Sequence, residues 1–338
     1  MATAAQTASP QIEAERAQRS LWRDAWRRLL SSSAGRIGLA ISLALILLAL
    51  VIPYVMPYDP SRDRNLRQRL QPPSMLMDQA TRERLGIGSW SLPFGTDELG
   101  RNLFVRVLHG APISLTVGIF SVAFAVVFGT LLGLTAGYVA GWFDTVAVWL
   151  MDIMLAFPSI LLAIAITTAA SGPDSFSTRL FNMLAGIPGV GNVLDQRLFN
   201  AMIAVGIVEI PIFARIARAT VISLRGQEFV TAAHALGVPG NRILLRHILP
   251  NSLAPLLVQA TLSMATAIIS VAALGFLGLG ARPPRPEWGT MLAGARDYVI
   301  QGKWWYPAFP GLAIILTVLG FNLLGDGLRD ALDPRLKR

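Results

Sequence analysis

Histidines and glycine-rich stretches are the features of this sequence that could bind a metal ion or a nucleotide. The chain has 338 residues and no cysteine, which excludes thiol nucleophiles and zinc–thiolate sites. Its three histidines have no metal-binding spacing such as H-E-x-x-H; they are His109, His234 and His247. The pair Gly302-Lys303 does not end a phosphate-binding loop, because no Ser or Thr follows it. We therefore expect no catalytic group, metal or cofactor in this chain.

Two carboxylates lie inside apolar stretches, where an ionisable group is a candidate functional residue. Exposing Glu209 to lipid costs about 3 kcal/mol, so it must either pair at a helix interface or line a cavity, and both readings stay open. Asp152 is two turns from one end of its stretch. There it can face water or the positive end of its helix, which favours a structural role. Both residues are candidates for lining a path through the membrane.

Residues 228–250 form an amphipathic segment between two apolar stretches. Its first part has an apolar face at helical spacing, made of Phe229, Ala232, Ala233 and Leu236. Gly237 is placed to end this helix in a left-handed conformation. A second short helix follows and reaches Leu249-Pro250. Such a helix pair can lie on lipid headgroups, or it can dock into a groove of a soluble partner.

The elements that position these residues are membrane helices. The chain is 53% hydrophobic and only 14% charged, with a mean hydropathy of +0.53, whereas soluble domains carry about 25% charged residues. Six stretches are long and apolar enough to cross a bilayer: 37–57, 113–141, 145–170, 198–224, 253–280 and 307–325. We predict an all-α membrane protein with one peripheral helix and a five-helix core. The net charge is +9. The basic residues flank these spans, so they indicate contact with the membrane surface and not binding of nucleic acid.

Basic residues near the short loops predict that both termini are cytoplasmic. The predicted organisation is a cytoplasmic segment 1–36, a first helix 37–57, an external loop 58–112, a core 113–325 and a cytoplasmic tail 326–338. The external loop carries eight basic residues, which opposes this orientation, although long loops cross with less regard to charge. Aromatic side chains fit a belt at the outer interface: Trp288, Trp304 and Trp305.

The segment 228–250 resembles the cytoplasmic EAA loop of bacterial ABC-importer permeases. The matching residues keep the spacing of that motif: Ala232, Ala233, Gly237, Leu249 and Pro250. The sequence departs from the motif at Thr231, where the family has glutamate, and Glu228 lies one turn earlier. The resemblance therefore implies an ATPase-coupling loop that comprises Glu228, Thr231, Ala232, Ala233, Leu236, Gly237, Leu249 and Pro250.

Residues 37–334 as a whole resemble the dipeptide, oligopeptide and nickel branch of these permeases, in the member usually encoded second of a pair. The stretches that carry this resemblance are 94–102, 107–114, 152–159, 246–251, 274–280, 286–289 and 328–334. The pattern departs from the family at Asn102, where aspartate is frequent, and at Trp149, where arginine is frequent.

The resemblance implies a multi-pass protein of the bacterial inner membrane that forms half of a translocation path. Its partners would be a homologous second permease, two cytoplasmic ATPase subunits that bind ATP and Mg²⁺, and an external substrate-binding protein. The cargo stays open among dipeptides, oligopeptides, nickel and other small solutes. The alternative is a self-contained secondary carrier, which would need coupling-ion groups and internal repeats; we find no convincing repeat.

Overall fold

The computed structural model describes residues 21–173, 175–185 and 195–332, and every regular element in these ranges is helical. The predicted segments 1–36 and 326–338 are therefore described only from residue 21 and only to residue 332. The helices of the described ranges are α1 (Leu21–Ser31), α2 (Ser33–Val55), α3 (Gln79–Leu85), α4 (Leu103–Val139), α5 (Gly141–Ala156), α6 (Ser159–Ala169), α7 (Phe176–Ala185), α8 (Gln196–Arg225), α9 (Glu228–Ala235), α10 (Gly240–Ile243), α11 (Leu249–Phe276), α12 (Trp288–Val299) and α13 (Trp305–Leu332).

The predicted all-α membrane fold is confirmed, with five candidate membrane spans and one bent helix pair in the described ranges. The five are long apolar helices within the described ranges: α2, α4, α8, the unit formed by α10 and α11, and α13. The bent pair formed by α5 and α6 makes a sixth if the two helices are one span. We call the end that carries residues 58–102 the outer end, and the end that carries α9 the inner end, following the predicted orientation.

The predicted third span, residues 145–170, is not one straight helix. Helices α5 and α6 meet at an angle of 101°, and Phe157 between them has extended backbone angles. Proline disfavours the helical conformation of the residue before it and lacks an N–H of its own. Pro158 therefore breaks the span at a place where hydropathy alone gives no signal.

Helix α4 begins at Leu103, ten residues before the predicted span 113–141. The side chain of Asn102 caps the helix by accepting a hydrogen bond from the backbone N–H of Phe104 at 3.0 Å. Such a cap satisfies one of the N–H groups that a helix start leaves unpaired. The apolar pattern marked only the part of α4 that lies in the bilayer, whereas its first turns belong to the outer end.

Helices α4 and α8 form the most extensive contact of the fold. Glycines at spacing four on α4 let the two backbones approach closely, as is common in membrane proteins. At Gly133, a β-carbon would collide with the carbonyl oxygen of Ala214 on α8. Helix α2 packs against α13 and α4 at the side of this core and buries mainly small residues. It therefore has the peripheral position that the sequence predicted.

Candidate functional site

The amphipathic segment folds as two short helices with a sharp turn between them. Gly237 follows α9 with φ +72°, the left-handed conformation predicted for it. The N–H of Val238 reaches back to the carbonyl oxygen of Ala233 at 3.1 Å, which closes the end of the helix. Nothing lies within 4 Å of a β-carbon placed at Gly237. Backbone conformation, and not space, therefore favours glycine at this turn.

Helix α9 has two apolar faces, and only one is covered by this chain. Val230 and Ala233 are buried in the core, with exposed fractions of 1% and 8%. Phe229 and Leu236 are exposed, at 42% and 83%, and Ala232 lies exposed between them. The prediction that Ala233 shares the outward face with these residues is wrong. Position 233 lies three residues after Val230, and that spacing places both on the inward side.

The second half of the segment also has buried and exposed apolar side chains. Ile243 and Ile248 are fully buried, whereas Leu245 is 60% exposed and Pro250 is exposed. Residues Leu244–Ile248 form a π-helical turn that leads into α11. We call Phe229, Ala232, Leu236 and Leu245 the coupling face. Glu228 and Thr231 are exposed on α9, and Leu249 is partly buried at the start of α11.

Tyr138 supports the segment from the inner end of α4. The Arg225 guanidinium lies 5.7 Å from the centre of the Tyr138 ring and donates a hydrogen bond to the carbonyl oxygen of Gly137 at 3.2 Å. A β-carbon at Gly240 would lie 2.7 Å from the Tyr138 hydroxyl oxygen. The segment therefore packs against the inner ends of α4 and α8. A displacement of the segment would be transmitted to these two membrane helices.

Glu209 lies at a helix interface. It is 9% exposed and accepts hydrogen bonds from the hydroxyls of Ser263 at 2.9 Å and Thr266 at 3.2 Å, both on α11. A carboxyl group in the apolar span is thus satisfied by hydroxyl donors. These contacts support the structural-pairing reading of Glu209 that the sequence left open. A role in the translocation path stays a prediction.

Asp152 lies on α5 and pairs with Arg215 of α8 at 2.7 Å. Both side chains are 58% exposed. A second ion pair joins the same helices, since Asp144 Oδ2 accepts a hydrogen bond from Arg218 Nη2 at 2.7 Å. Asp152 and Glu209 share no contact, so they do not form one site within this chain. Sequence reasoning missed both ion pairs, although opposite charges on neighbouring apolar helices were a usable signal.

The stretch 94–102 and the first turn of α4 build a buried ion-pair cluster at the outer end, which we call the outer knot: Asp97, Arg101 and Arg106. Asp97 is fully buried, and its Oδ2 lies 2.7 Å from Arg101 Nε and 3.3 Å from Arg106 Nε. Its Oδ1 accepts the backbone N–H groups of Leu99 and Arg101, both at 2.9 Å. Burial, with the nearby Asp97 charge, raises the pKa of Glu98, which accepts a hydrogen bond from the Tyr306 hydroxyl.

The stretches 107–114, 274–280 and 286–289 meet beside the outer knot. Trp288 is 1% exposed, and its indole N–H donates to the carbonyl oxygen of Val107 at 2.9 Å. Glu287 caps α12 by accepting the N–H groups of Gly289 and Thr290. Burial raises the pKa of Glu287 to about 7, although those hydrogen bonds act in the opposite direction.

The predicted aromatic belt is wrong for two of its three members. Trp288 and Trp305 are buried, at 1% and 5% exposed, and only Trp304 is open, at 52%. The Trp305 indole N–H donates to the carbonyl oxygen of Thr96 at 3.3 Å. The two buried tryptophans therefore attach the outer segment and α12 to the core. Tryptophans near the end of a span can have either this role or a place in an aromatic belt, and the sequence alone does not distinguish the two.

The part of the chain that the structure describes contains no candidate metal-binding site. In those ranges no group of three or more His, Asp or Glu side chains could hold an ion. His109 belongs to α4, and its ring nitrogens contact the carbonyl oxygens of Val105 on the same helix at 2.9 Å and of Met56, just after α2, at 2.8 Å. That histidine therefore joins two helices.

Two families of known sequences match the chain. Residues 129–338 match the family described as the binding-protein-dependent transport system inner membrane component. Residues 20–73 match the N-terminal transmembrane domain of oligopeptide transport permease C.

Curated relatives cover most of the chain. A dipeptide transport system permease protein of Alkalihalophilus pseudofirmus is 49% identical over 72% of both chains. A di/tripeptide transport system permease protein of Pseudomonas aeruginosa is 43% identical over 79% of this chain and 77% of its own. A glutathione transport system permease protein of Escherichia coli is 47% identical over 72% of both.

Proposed function

Because the chain belongs to the family of binding-protein-dependent transport system inner membrane components, we propose that it forms half of a translocation path for peptides. It is a multi-pass inner-membrane permease subunit and not an enzyme, and separate ATPase subunits hydrolyse the ATP. Family membership also decides against the alternative of a self-contained secondary carrier. We propose a homologous second permease as the other half of the path, with two ATPase subunits and an external binding protein completing the assembly.

The coupling face is the observation that carries the proposed mechanism. It presents Phe229 and Leu236 on α9, between the spans, and Leu245 at the inner end of the unit formed by α10 and α11. An exposed apolar surface of this kind marks an interaction site, and a short helix fits a groove of a partner. We assign that groove to a cytoplasmic ATPase subunit, with Glu228 and Thr231 at its edge. Movement of the ATPase would then act on α4 and α8 through Tyr138 and Arg225.

Peptide cargo is supported by the relatives, whose names refer to dipeptides, tripeptides and glutathione. The bound nucleotide and its Mg²⁺ belong, in this proposal, to the ATPase subunits, since the sequence has no phosphate-binding loop. Asp152 and Glu209 remain path candidates, Asp152 because it is exposed on the outside of this chain. An exposed pair inside a bilayer is costly, so a second permease or an aqueous path is its expected environment.

ATP hydrolysis tests the division of labour. The purified chain is expected to hydrolyse no ATP, whereas the assembly with its ATPase subunits and loaded binding protein hydrolyses ATP and imports peptide into vesicles. The measurement is phosphate release by the chain alone and by the assembly at equal permease concentration. ATP turnover that persists in the chain after every co-purifying ATPase has been removed would contradict the proposal.

Labelling of single cysteines tests the orientation that we propose, with both termini cytoplasmic. The chain has no cysteine, so Ala80→Cys and His234→Cys each create a unique target at an exposed position. A membrane-impermeant thiol reagent added outside intact cells is expected to label position 80 and not position 234. The reverse pattern would show that the orientation is inverted, and labelling after detergent treatment is the control that both positions can react.

A further inference from the structure

Helix α5 has little apolar packing within this chain. Its buried residues are Ala147 and Met151, which form a small cluster with Ala136 of α4 and Ala214 of α8. The other side of the helix carries large apolar side chains that are exposed along its whole length: Trp142, Val146, Trp149, Leu150 and Ile153. Most of the surface of α5 is therefore open to whatever surrounds this chain.

An ion pair lies at the edge of this open surface. It joins Asp152 Oδ1 of α5 to Arg215 Nη2 of α8 at 2.7 Å, and both side chains are 58% exposed. Among the described residues, Asp152 Oδ2 and the other N–H groups of Arg215 have no hydrogen-bond partner. The pair therefore presents a free acceptor and free donors on the outside of the chain.

The pair lies deep in the membrane and not at its surface. Asp152 is eleven residues from the inner end of α5 at Gly141, and Arg215 is ten residues from the inner end of α8 at Arg225. At about 1.5 Å per residue, both are roughly 15 Å from those ends, or about half the thickness of the hydrocarbon core. A soluble partner that docks at either end of the helices does not reach that depth.

The surroundings of the pair decide between lipid, water and protein as its cover. Charged groups in a span are costly in lipid, so they face other helices or a water-filled cavity. The exposed residues one turn away on the same face of α5 are apolar, Trp149 and Ala156, and those that follow on α8 are Ala219 and Ile222. A tryptophan and an arginine in an apolar surround are typical of a protein interface and not of an aqueous lining.

We propose that the second, homologous permease packs against α5 and covers the Asp152–Arg215 pair. Trp149 is 66% exposed and is the apolar anchor beside the pair. A helix of the partner supplies hydrogen-bonding side chains to the free carboxylate oxygen and guanidinium N–H groups, as polar side chains do between membrane helices. The inference rests on the proposed function, because that function supplies the second permease, and it adds which surface of this chain the second permease contacts.

Photo-crosslinking tests this surface in the complete transporter. The photoreactive amino acid p-benzoylphenylalanine replaces Trp149 in cells that produce all subunits. Illumination is expected to join this chain to the second permease, identified by mass spectrometry. The matched control replaces Ile315, which is 62% exposed on α13, a helix that packs with α2 and α11; no such product is expected there. Equal crosslinking from both positions, a product made of two copies of this chain, or reaction of position 149 with lipid alone would overturn the proposal.

Labelling with a small, charged thiol reagent separates a protein interface from an aqueous path. Ala219→Cys places a thiol one turn from Arg215, at an exposed position of α8. In the assembled transporter without its binding protein, this thiol is expected to react many-fold more slowly than that of Ala80→Cys, at an exposed position of the outer segment. The measurement is made nucleotide-free and with ATP bound. Equally fast reaction at both positions in either state would show that water fills this groove and would overturn the proposal.

Trp149→Ala measures how much this surface contributes to the pairing of the two permeases. The side chain is largely exposed, so the variant is expected to melt with the parent. Recovery of the second permease with the tagged chain in mild detergent is expected to fall several-fold, whereas Ile315→Ala leaves it unchanged. Unchanged recovery with Trp149→Ala would remove the anchor and contradict the proposal. If the parent recovers no second permease at all, the proposed function fails, whereas a stable pair of permeases without the crosslink at position 149 refutes only the choice of surface.

Discussion

Leu236→Asp is expected to abolish co-purification of the ATPase subunits and, with it, ATP-driven transport. Leu236 is 83% exposed on the coupling face, so the fold of this chain does not depend on it. A buried apolar anchor contributes about 2 kcal/mol or more to an interface, or roughly 30-fold in affinity, and the added carboxylate would also have to be desolvated. The measurement is the amount of ATPase recovered with the tagged permease, together with uptake by vesicles.

Ala232→Asp and Ala233→Asp form a matched pair for the same surface. Ala232 is exposed, so its replacement should impair docking and leave the permease folded. Ala233 is buried within the chain, so aspartate there is expected to destabilise the permease itself, and lost docking would follow indirectly. Gln227→Ala, at the exposed residue before α9, should have little effect. Normal assembly and transport by both Leu236→Asp and Ala232→Asp would make the segment an interfacial helix and not a docking site.

Asp97→Ala is expected to produce the largest loss of stability among the ionic variants. It leaves the buried side chains of Arg101 and Arg106, which are 5% and 7% exposed, without their shared carboxylate. Breaking a buried ion pair on one side costs about 3–5 kcal/mol. The outer segment should then separate from the core, which thermal unfolding in detergent and limited proteolysis of residues 58–102 would both detect.

Asp59→Ala is the control for the outer knot. Asp59 also pairs with an arginine, Arg62, but those side chains are 51% and 89% exposed. Exposed pairs of this kind contribute little to stability, so this variant should melt close to the parent. If Asp97→Ala also melts with the parent and resists protease equally, the knot does not fasten the outer segment.

Local features were the ones that the sequence predicted best. The left-handed turn at Gly237 depends on its own backbone, and the spans depend on runs of apolar residues, so both can be read without knowing the fold. The bend at Pro158 was equally local but was hidden by unbroken hydropathy on both sides. The face of α9 was assigned partly wrong because Ala232 and Ala233 are alike in composition, and only the packing of Val230 decides which one points inward.

Long-range contacts escaped sequence reasoning even where their residues were singled out. The stretches around Asp97, Gly275 and Trp288 were recognised separately, yet their meeting at the outer end depends on how α4, α11 and α12 pack. Arg197 and Arg282 are far apart in the sequence, yet both line one cavity at the outer end. Their convergence on one cavity requires the turn held by Asp195, and no pattern of spacing reveals such a turn.

The glycine contact between α4 and α8 has a mechanical consequence. Two helices whose backbones touch, as at Gly133, have no side-chain layer in which to slide, so we expect them to move together. Helix α4 has 37 residues and is therefore about 55 Å long. Its inner end carries Tyr138, which supports the segment 228–250, and its outer end begins next to the outer knot. A tilt of about 5° imposed at Tyr138 would displace the far end by roughly 5 Å over that length, enough to widen or close a gap the width of a peptide backbone.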